Sequence, residues 1–435
     1  MKKIIIILFL ILAFLSSALP VKAFEQINKF GIHILSEYDL PRAAELVNSQ
    51  GGDWGFVTIV IRLDELDLSR WQKFFDDCRR LHLFPLVRIA TQINGEIWTK
   101  PGLADAQTWA TFLGKLNWPV KDQYVIIFNE PNHAKEWGGE INPREYSQIL
   151  FEYSSKLKVK SSLPTGRQAK FKVLNAGFDL AAPNSKTTME ASKYWQEMEK
   201  AVPGVFKTLD GWASHSYSLN RDYRWERSFL QTKFAIRKDL PIFITETGWP
   251  MFENIWLKDN QVAAFTPFVL NYPQAPFTDF SWLDKDGNPK AQYEAVKKMP
   301  KISWWPEQEF GFKPEKIYLP PFIPTNTQYQ GNLVITNTGQ SIWGEKEALN
   351  FPIEKISPEL LVTSLEMPQR KKINPGESLE LFFVLKSSSV SGEFSFAWEK
   401  FPEYKVRVLP SSILTQAPYT FWQKVLLWLG KKLGF

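Results

Sequence analysis

Cysteine is almost absent: Cys78 is the only one in 435 residues, which excludes an intrachain disulfide and any metal site built from several thiolates. Histidine is nearly as scarce, with four scattered residues and no zinc-ligand spacing, so neither a metal nor another cofactor is expected. No Gly-rich turn follows the first apolar run, which removes the usual cradle for a nucleotide phosphate. A large excess of one charge is missing too. The net charge is +6, and half of it comes from Lys2, Lys3 and Lys22 in a segment that reads as a removable leader. Nucleic acid is therefore not an expected partner. A hydrophobic fraction of 44% beside 23% charged residues excludes general disorder.

What is abundant is aromatic: 33 Phe, 18 Trp and 13 Tyr. Flat side chains at that density suit the filling of cores and stacking on sugar rings alike. The amino terminus carries Lys2 and Lys3, an apolar run from Ile4 to Leu15, and Val21-Lys22-Ala23 before Phe24. A run of about 12 residues is short for roughly 30 Å of hydrocarbon, so 1–23 reads as a signal peptide, with an uncleaved anchor as the alternative. Either way the folded part is expected to be exported, whether extracellular, cell-surface or periplasmic.

At roughly 150 residues per domain the length suggests two or three domains, or one large barrel plus a smaller module. Between residues 29 and 282 eight apolar runs of strand length occur, at 29–35, 54–61, 84–90, 124–128, 172–176, 209–214, 241–245 and 277–282. Helical periodicity fills most of the gaps, at 40–48, 68–81, 104–116, 143–157, 193–201 and 225–238. That alternation predicts an α/β fold, an eight-stranded β/α (TIM) barrel over 24–299, in preference to an open doubly wound sheet. Residues 161–169 interrupt the rhythm and read as a surface insertion before strand five. Six prolines from Pro300 to Pro324 mark 300–329 as a stiff linker. Short strands with turn signals and no helical pattern then predict a small β-sandwich over 330–411. A separate apolar and basic tail occupies 412–435.

In a barrel of this kind, functional groups sit at the carboxyl ends of the strands. Strand four ends in Asn129-Glu130-Pro131-Asn132, where Pro131 biases Glu130 towards an extended backbone. Strand six ends in His215-Ser216-Tyr217, strand seven in Glu246-Thr247-Gly248-Trp249, and strand eight in Trp282. Two carboxylates thus reach one rim, as glycosidic cleavage requires: one protonates the leaving oxygen and the other supports the charge growing at the anomeric carbon. On these four strand ends, residues 28–285 resemble clan A of the retaining glycoside hydrolases, the barrel group that contains cellulases and xylosidases. The resemblance implies Glu130 as acid/base and Glu246 as nucleophile. It further implies that Asn129 binds the hydroxyl next to the anomeric carbon, that Tyr217 bonds the nucleophile, that His215 lines the site and that Trp282 floors the subsite. An Arg beside the nucleophile is also implied, with Arg88 favoured over Arg62. Trp98, Trp137 and Trp249 are further candidates to contact a carbohydrate substrate.

The sandwich resembles tryptophan-containing immunoglobulin-like modules of bacterial exported enzymes, through Val334-Ile335-Thr336-Asn337-Thr338-Gly339 with Trp343, and Pro375-Gly376-Glu377-Ser378 with Gly392 and Trp398. A spacer or packing role is expected for it. In the tail, Phe421, Trp422, Leu426, Trp428 and Leu429 with Lys424, Lys431 and Lys432 fit either an interfacial helix at a membrane surface or a segment docked on its own protein. Two other functional classes remain open: a carbohydrate-binding or scaffold barrel without catalysis, and a transglycosylase using the same two carboxylates.

Overall fold

A computed structural model describes residues 27–159, 161–162, 168–169, 171–217, 221–248, 256–346 and 349–412. The leader at 1–23, the tail beyond 412 and Trp249 therefore lie outside the described residues. So does the tip of the insertion, of which the short antiparallel pair Ser161–Ser162 and Gln168–Ala169 is described. The chain divides into two compact units, 1–307 and 308–435.

The first unit is α/β with parallel sheets. Strands β1 (Gly31–His33), β2 (Gly55–Arg62), β3 (Leu83–Ala90), β4 (Tyr124–Ile127) and β5 (Lys172–Leu174) form one five-stranded sheet in that order. Strands β6 (Trp212–His215), β7 (Ile242–Glu246) and β8 (Val262–Phe265) form a second. Every pairing is parallel. Two isolated parallel bridges, Leu174 to Gly211 and Phe30 to Phe265, link the edges of the two sheets. The crowding of β1 against β8 explains Gly31: a Cβ there would lie 2.6 Å from Thr266 Cγ2 and 2.9 Å from Phe265 O.

The strands are near-continuous apolar runs because both faces are covered. All eight residues of β3 are buried. One face carries Phe56, Phe84, Leu86, Ile126, Leu174, Ala213, Phe243 and Ala264, which form a buried cluster of their own with residues from β2 through β8. The other face packs against helices, of which α1 (Leu40–Val47), α2 (Leu68–Arg80), α3 (Asp105–Lys115), α4 (Pro143–Lys158), α5 (Ala191–Ala201) and α6 (Tyr223–Phe234) fall close to the periodic segments. In α2 the inward residues are Trp71, Phe74, Phe75, Cys78 and Arg79, spaced three and four apart as one helix face requires. Asp67 caps it by accepting from the Arg70 amide at 2.8 Å. Helix α6 stops four residues before the expected end because Ala235 turns left-handed, with φ 50°.

Two expectations need correction. The eighth strand is Val262–Phe265, and residues 277–282 form turns. A short run with two alanines carries little apolar signal, whereas the Phe and Trp of 277–282 carry much, and burial of aromatics does not require strand geometry. Residues 300–329 are not one linker either. Trp304 stacks on Phe56 and Phe84 at 5.6 and 5.9 Å, and Trp305 meets Trp54 edge-on at 5.8 Å, all within the first unit. Beyond them, β9 (Phe312–Tyr318) and β10 (Phe322–Pro324) are strands of the second unit. Pro314 is tolerated because β9 is an edge strand, and its pairing shifts register beside it.

The second unit adds β11 (Gln328–Asn337), β12 (Ile353–Ile356), β13 (Leu360–Val362), β14 (Ser378–Ser387), β15 (Gly392–Trp398) and β16 (Tyr404–Leu409). Its two four-stranded sheets run β9-β11-β14-β13 and β10-β16-β15-β12. Inward residues of both, among them Leu333, Ile335, Leu381, Phe383, Phe396 and Trp398, share one core. Alternation along β14, exposed then buried in turn, is what a half-solvated sheet dictates.

Candidate active site

The carboxyl ends of the parallel strands converge on one group of polar side chains. Glu246 is the last residue of β7 and His215 the last of β6, and the two are register partners. Glu130 stands three residues beyond β4. Arg88 comes from β3 and His33 from the end of β1. One oxygen of Glu130, one of Glu246 and one nitrogen of His215 lie within 4.8 Å of one another.

The two carboxylates have different neighbours. Glu246, 8% exposed, accepts from Arg88 Nη1 at 2.8 Å on Oε1 and from the Tyr217 hydroxyl at 3.2 Å on Oε2. Each of its oxygens thus accepts from a different donor, a guanidinium and a phenol. Glu130 instead lies 2.9 Å from His215 Nδ1, with the Glu246 carboxylate 3.8 Å from the same nitrogen. Burial by itself would lower the proton affinity of His215, but the carboxylates of Glu246 and Glu130 overcome it and hold the imidazole above its ordinary value. His33, 3.8 Å from Glu246, goes the other way: complete burial, then Arg88 and His215, hold it well below the usual histidine range. It is therefore a neutral neighbour of the carboxylate.

Glu130, His215 and Glu246 have the donor types of a metal site. The Arg88 guanidinium already bonds the Glu246 oxygen that faces it, so a second positive charge there would be repelled. The set suits proton transfer and charge stabilisation better than cation binding.

The backbone that presents Glu130 is not extended, contrary to the bias expected from Pro131. Glu130 has φ 30° and Phe128 φ 67°, a conformation that costs on the order of 1–3 kcal/mol for such residues. Two hydrogen bonds hold it: Glu130 N donates to Gly177 O at 3.0 Å, and His133 N donates to Glu130 O at 2.8 Å. Gly177 also makes room for the imidazole, since a Cβ there would lie 2.1 Å from His215 Cδ2. Gly177→Ala should therefore displace His215 and lower kcat/KM by about 100-fold, with an unchanged far-ultraviolet circular dichroism spectrum. Wild-type kinetics in that variant would show that the position of His215 does not matter.

Of the residues singled out in the sequence, the structure brings together Glu130, Glu246, Asn129, His215, Tyr217 and Arg88. Arg62 is not among them; it pairs with Asp64 at 2.7 Å on an exposed turn. Trp282 is 2% exposed and ends no strand: its amide donates to Val269 O at 3.0 Å and it fills the main core, so it offers no platform. Trp137 is likewise fully buried, its indole N–H donating to Glu145 at 2.9 Å. Trp98 remains partly exposed in the short pair Ile93–Asn94 and Ile97–Trp98.

Sequence reasoning missed several neighbours. His33 and His133 join His215 at this rim, so three of the chain's four histidines meet there; their rarity was a signal, but the separation of His33 and His133 from the other site residues hid them. His133 sits 2.8 Å from Asp179, whose hydrogen bond raises its proton affinity. Glu136 accepts from Asn129 Nδ2 at 3.4 Å, and burial pushes its carboxyl up. Glu226 is buried behind β6, bonded to Ser214 and to the Trp212 indole, and burial pushes it up to about 7. An aromatic cluster of Phe268, Tyr272, Phe277 and Phe280 follows β8, with Phe268 edge-on to His33 at 5.2 Å and Phe280 edge-on to Tyr217 at 6.1 Å.

No family model matches this chain, and a search of curated proteins finds no match. Among solved structures, its neighbours are glycoside hydrolases at low identity. A mannotriose complex of Thermomonospora fusca β-mannanase is 12% identical, covering 62% of this chain and 89% of that chain, with a TM-score of 0.41. A fungal β-1,4-galactanase is 11% identical, covering 63% and 100%, with a TM-score of 0.41. A glucosidase from Croceicoccus marinus is 12% identical, covering 86% and 98%, with a TM-score of 0.43.

Proposed function

We propose that the chain is an exported retaining glycoside hydrolase that cleaves β-glycosidic bonds of an oligo- or polysaccharide by double displacement. The observation that carries the reading is the Glu130 and Glu246 pair, with oxygens within 4.8 Å and with Arg88 bonded to Glu246 alone of the two. Retaining enzymes hold their carboxyl groups about 5–5.5 Å apart, and inverting ones about 6.5–9.5 Å to admit a water. One oxygen from each carboxyl within 4.8 Å of the other fits the former range.

In the first step Glu130 gives its proton to the leaving oxygen while a Glu246 oxygen attacks the anomeric carbon. The old C–O bond breaks as the glycosyl ester forms. Glu130, now a carboxylate, then takes a proton from water, whose oxygen attacks the same carbon and releases Glu246. Arg88 and Tyr217, each bonded to one oxygen of Glu246, hold its carboxyl group in place between turnovers. Asn129 donates to the hydroxyl next to the anomeric carbon, and the aromatic cluster after β8 lines the cleft beside Tyr217.

A closed eight-stranded β/α barrel is the frame in this reading, supported by the two bridges that link the sheet edges and by the cluster drawn from β2 through β8. The second unit is read as an immunoglobulin-like β-sandwich spacer, supported by two four-stranded sheets around one core. The purified mature chain, offered a panel of aryl β-glycosides and polysaccharides, should release sugar of unchanged anomeric configuration, followed by nuclear magnetic resonance at early times. Inverted product, or no turnover on any member, overturns the proposal.

A further inference from the structure

Glu136 takes no part in the double displacement, yet it bonds a side chain that does. It closes the short turn Ala134–Glu136 after the end of β4. Its Oε2 accepts from Asn129 Nδ2 at 3.4 Å, while Asn129 Oδ1 accepts from Arg88 Nη1 at 2.5 Å. A guanidinium can only donate and a carboxylate can only accept. The amide of Asn129 is thus held from both ends, and only one of its two orientations satisfies both neighbours. With the oxygen committed to Arg88 and one N–H to Glu136, the second N–H of Nδ2 is the group left for a ligand. The side chain is partly open to solvent.

We infer that Glu136 is a positioning residue that fixes Asn129 as a hydrogen-bond donor, and that the cleft thereby selects sugars with a free hydroxyl next to the anomeric carbon over 2-acetamido sugars. The inference rests on the glycosidase reading above. A hydroxyl oxygen accepts from the waiting N–H. An acetamido nitrogen at the same place presents a donor to a donor, and the mismatch leaves both without a partner, which is how a polar site rejects a near neighbour of its substrate.

Three aryl glycosides that differ only at that position, bearing hydroxyl, hydrogen or acetamido, test the idea with the full-length chain and its E136A, E136Q and N129A variants. Wild type should favour the hydroxyl substrate over both others. E136A should lower kcat/KM on the hydroxyl substrate by about 10- to 100-fold, the range for losing one charge-assisted hydrogen bond, and should change the 2-deoxy substrate less than about 3-fold. E136Q removes the same charge near Glu130 but keeps a neutral oxygen that can accept from Nδ2, so it should recover part of the loss and fall between E136A and wild type. Equal losses on the hydroxyl and 2-deoxy substrates in E136A would reveal general damage and overturn the inference, as would an E136Q as impaired as E136A. Wild type that prefers the acetamido substrate overturns it as well. N129A reports on the reading beneath it: without a hydroxyl-dependent loss in N129A, the assignment of Asn129 falls, and the role of Glu136 with it.

Discussion

Replacing Glu246 by glutamine should lower kcat by about 10⁴-fold or more, as removal of a covalent nucleophile does. Glutamine keeps the shape of the side chain and a carbonyl for the Tyr217 hydroxyl, so the loss reads the missing negative charge and not a cavity. With that carbonyl on Tyr217, the amide NH2 faces Arg88, which loses its acceptor in a place where the cation is 9% exposed; some loss of thermal stability should accompany the kinetic effect. The decisive experiment uses Glu246→Ala with azide and an activated aryl glycoside. The small anion can enter the vacated space and attack the anomeric carbon from that face, so turnover should return and the product should be a glycosyl azide of inverted configuration. A Glu246→Gln enzyme that keeps a tenth of wild-type activity would remove Glu246 from the chemistry.

The second large effect is expected at Glu130 and depends on the leaving group. Glu130→Gln should slow poor leaving groups, such as alcohols or another sugar, by about 10²- to 10⁴-fold, the usual worth of a positioned proton donor. Dinitrophenyl glycosides leave without a proton and should form the glycosyl ester at close to the wild-type rate. The ester should then accumulate, because its hydrolysis still needs Glu130 as base, and a burst of released phenol should be visible in stopped flow. Azide should rescue the Glu130→Ala variant with retained configuration, the opposite of Glu246→Ala, since attack now comes from the Glu130 side. Identical azide products from both variants, or equal losses on all leaving groups, would contradict the two roles.

The sites of these two predictions differ in how readable they were. Glu130 and Glu246 stand out in sequence because each ends an apolar run, and a strand end in a parallel sheet can point its side chain at a shared rim. Arg88 was favoured over Arg62 in sequence, but the contacts that separate the two exist only in the fold. Arg62 is the last residue of β2 and turns to Asp64, whereas Arg88, two residues before the end of β3, donates to both Asn129 and Glu246. Trp282 misled for a related reason: an indole has the same sequence signature whether it floors a cleft or fills a core. Glu136 and His133 belong to an irregular segment, where no periodicity says which way a side chain faces.

By itself the sequence determined the α/β alternation of the first unit, the positions of six of its helices and the run of strands between 331 and 409 in the second, because each depends on local apolar spacing and turn chemistry. It also determined which two carboxylates end strands four and seven. Tertiary structure alone decided that Val262–Phe265 belongs to the parallel set, that Trp304 and Trp305 belong with the first unit, and that His33, His133 and Glu136 lie near the carboxylate pair. Those facts depend on contacts between residues as far apart as Arg88 and Glu246, separated by 158 positions. Local pattern carries no information about such contacts, because it is the packing of whole strands and helices that brings the residues within reach.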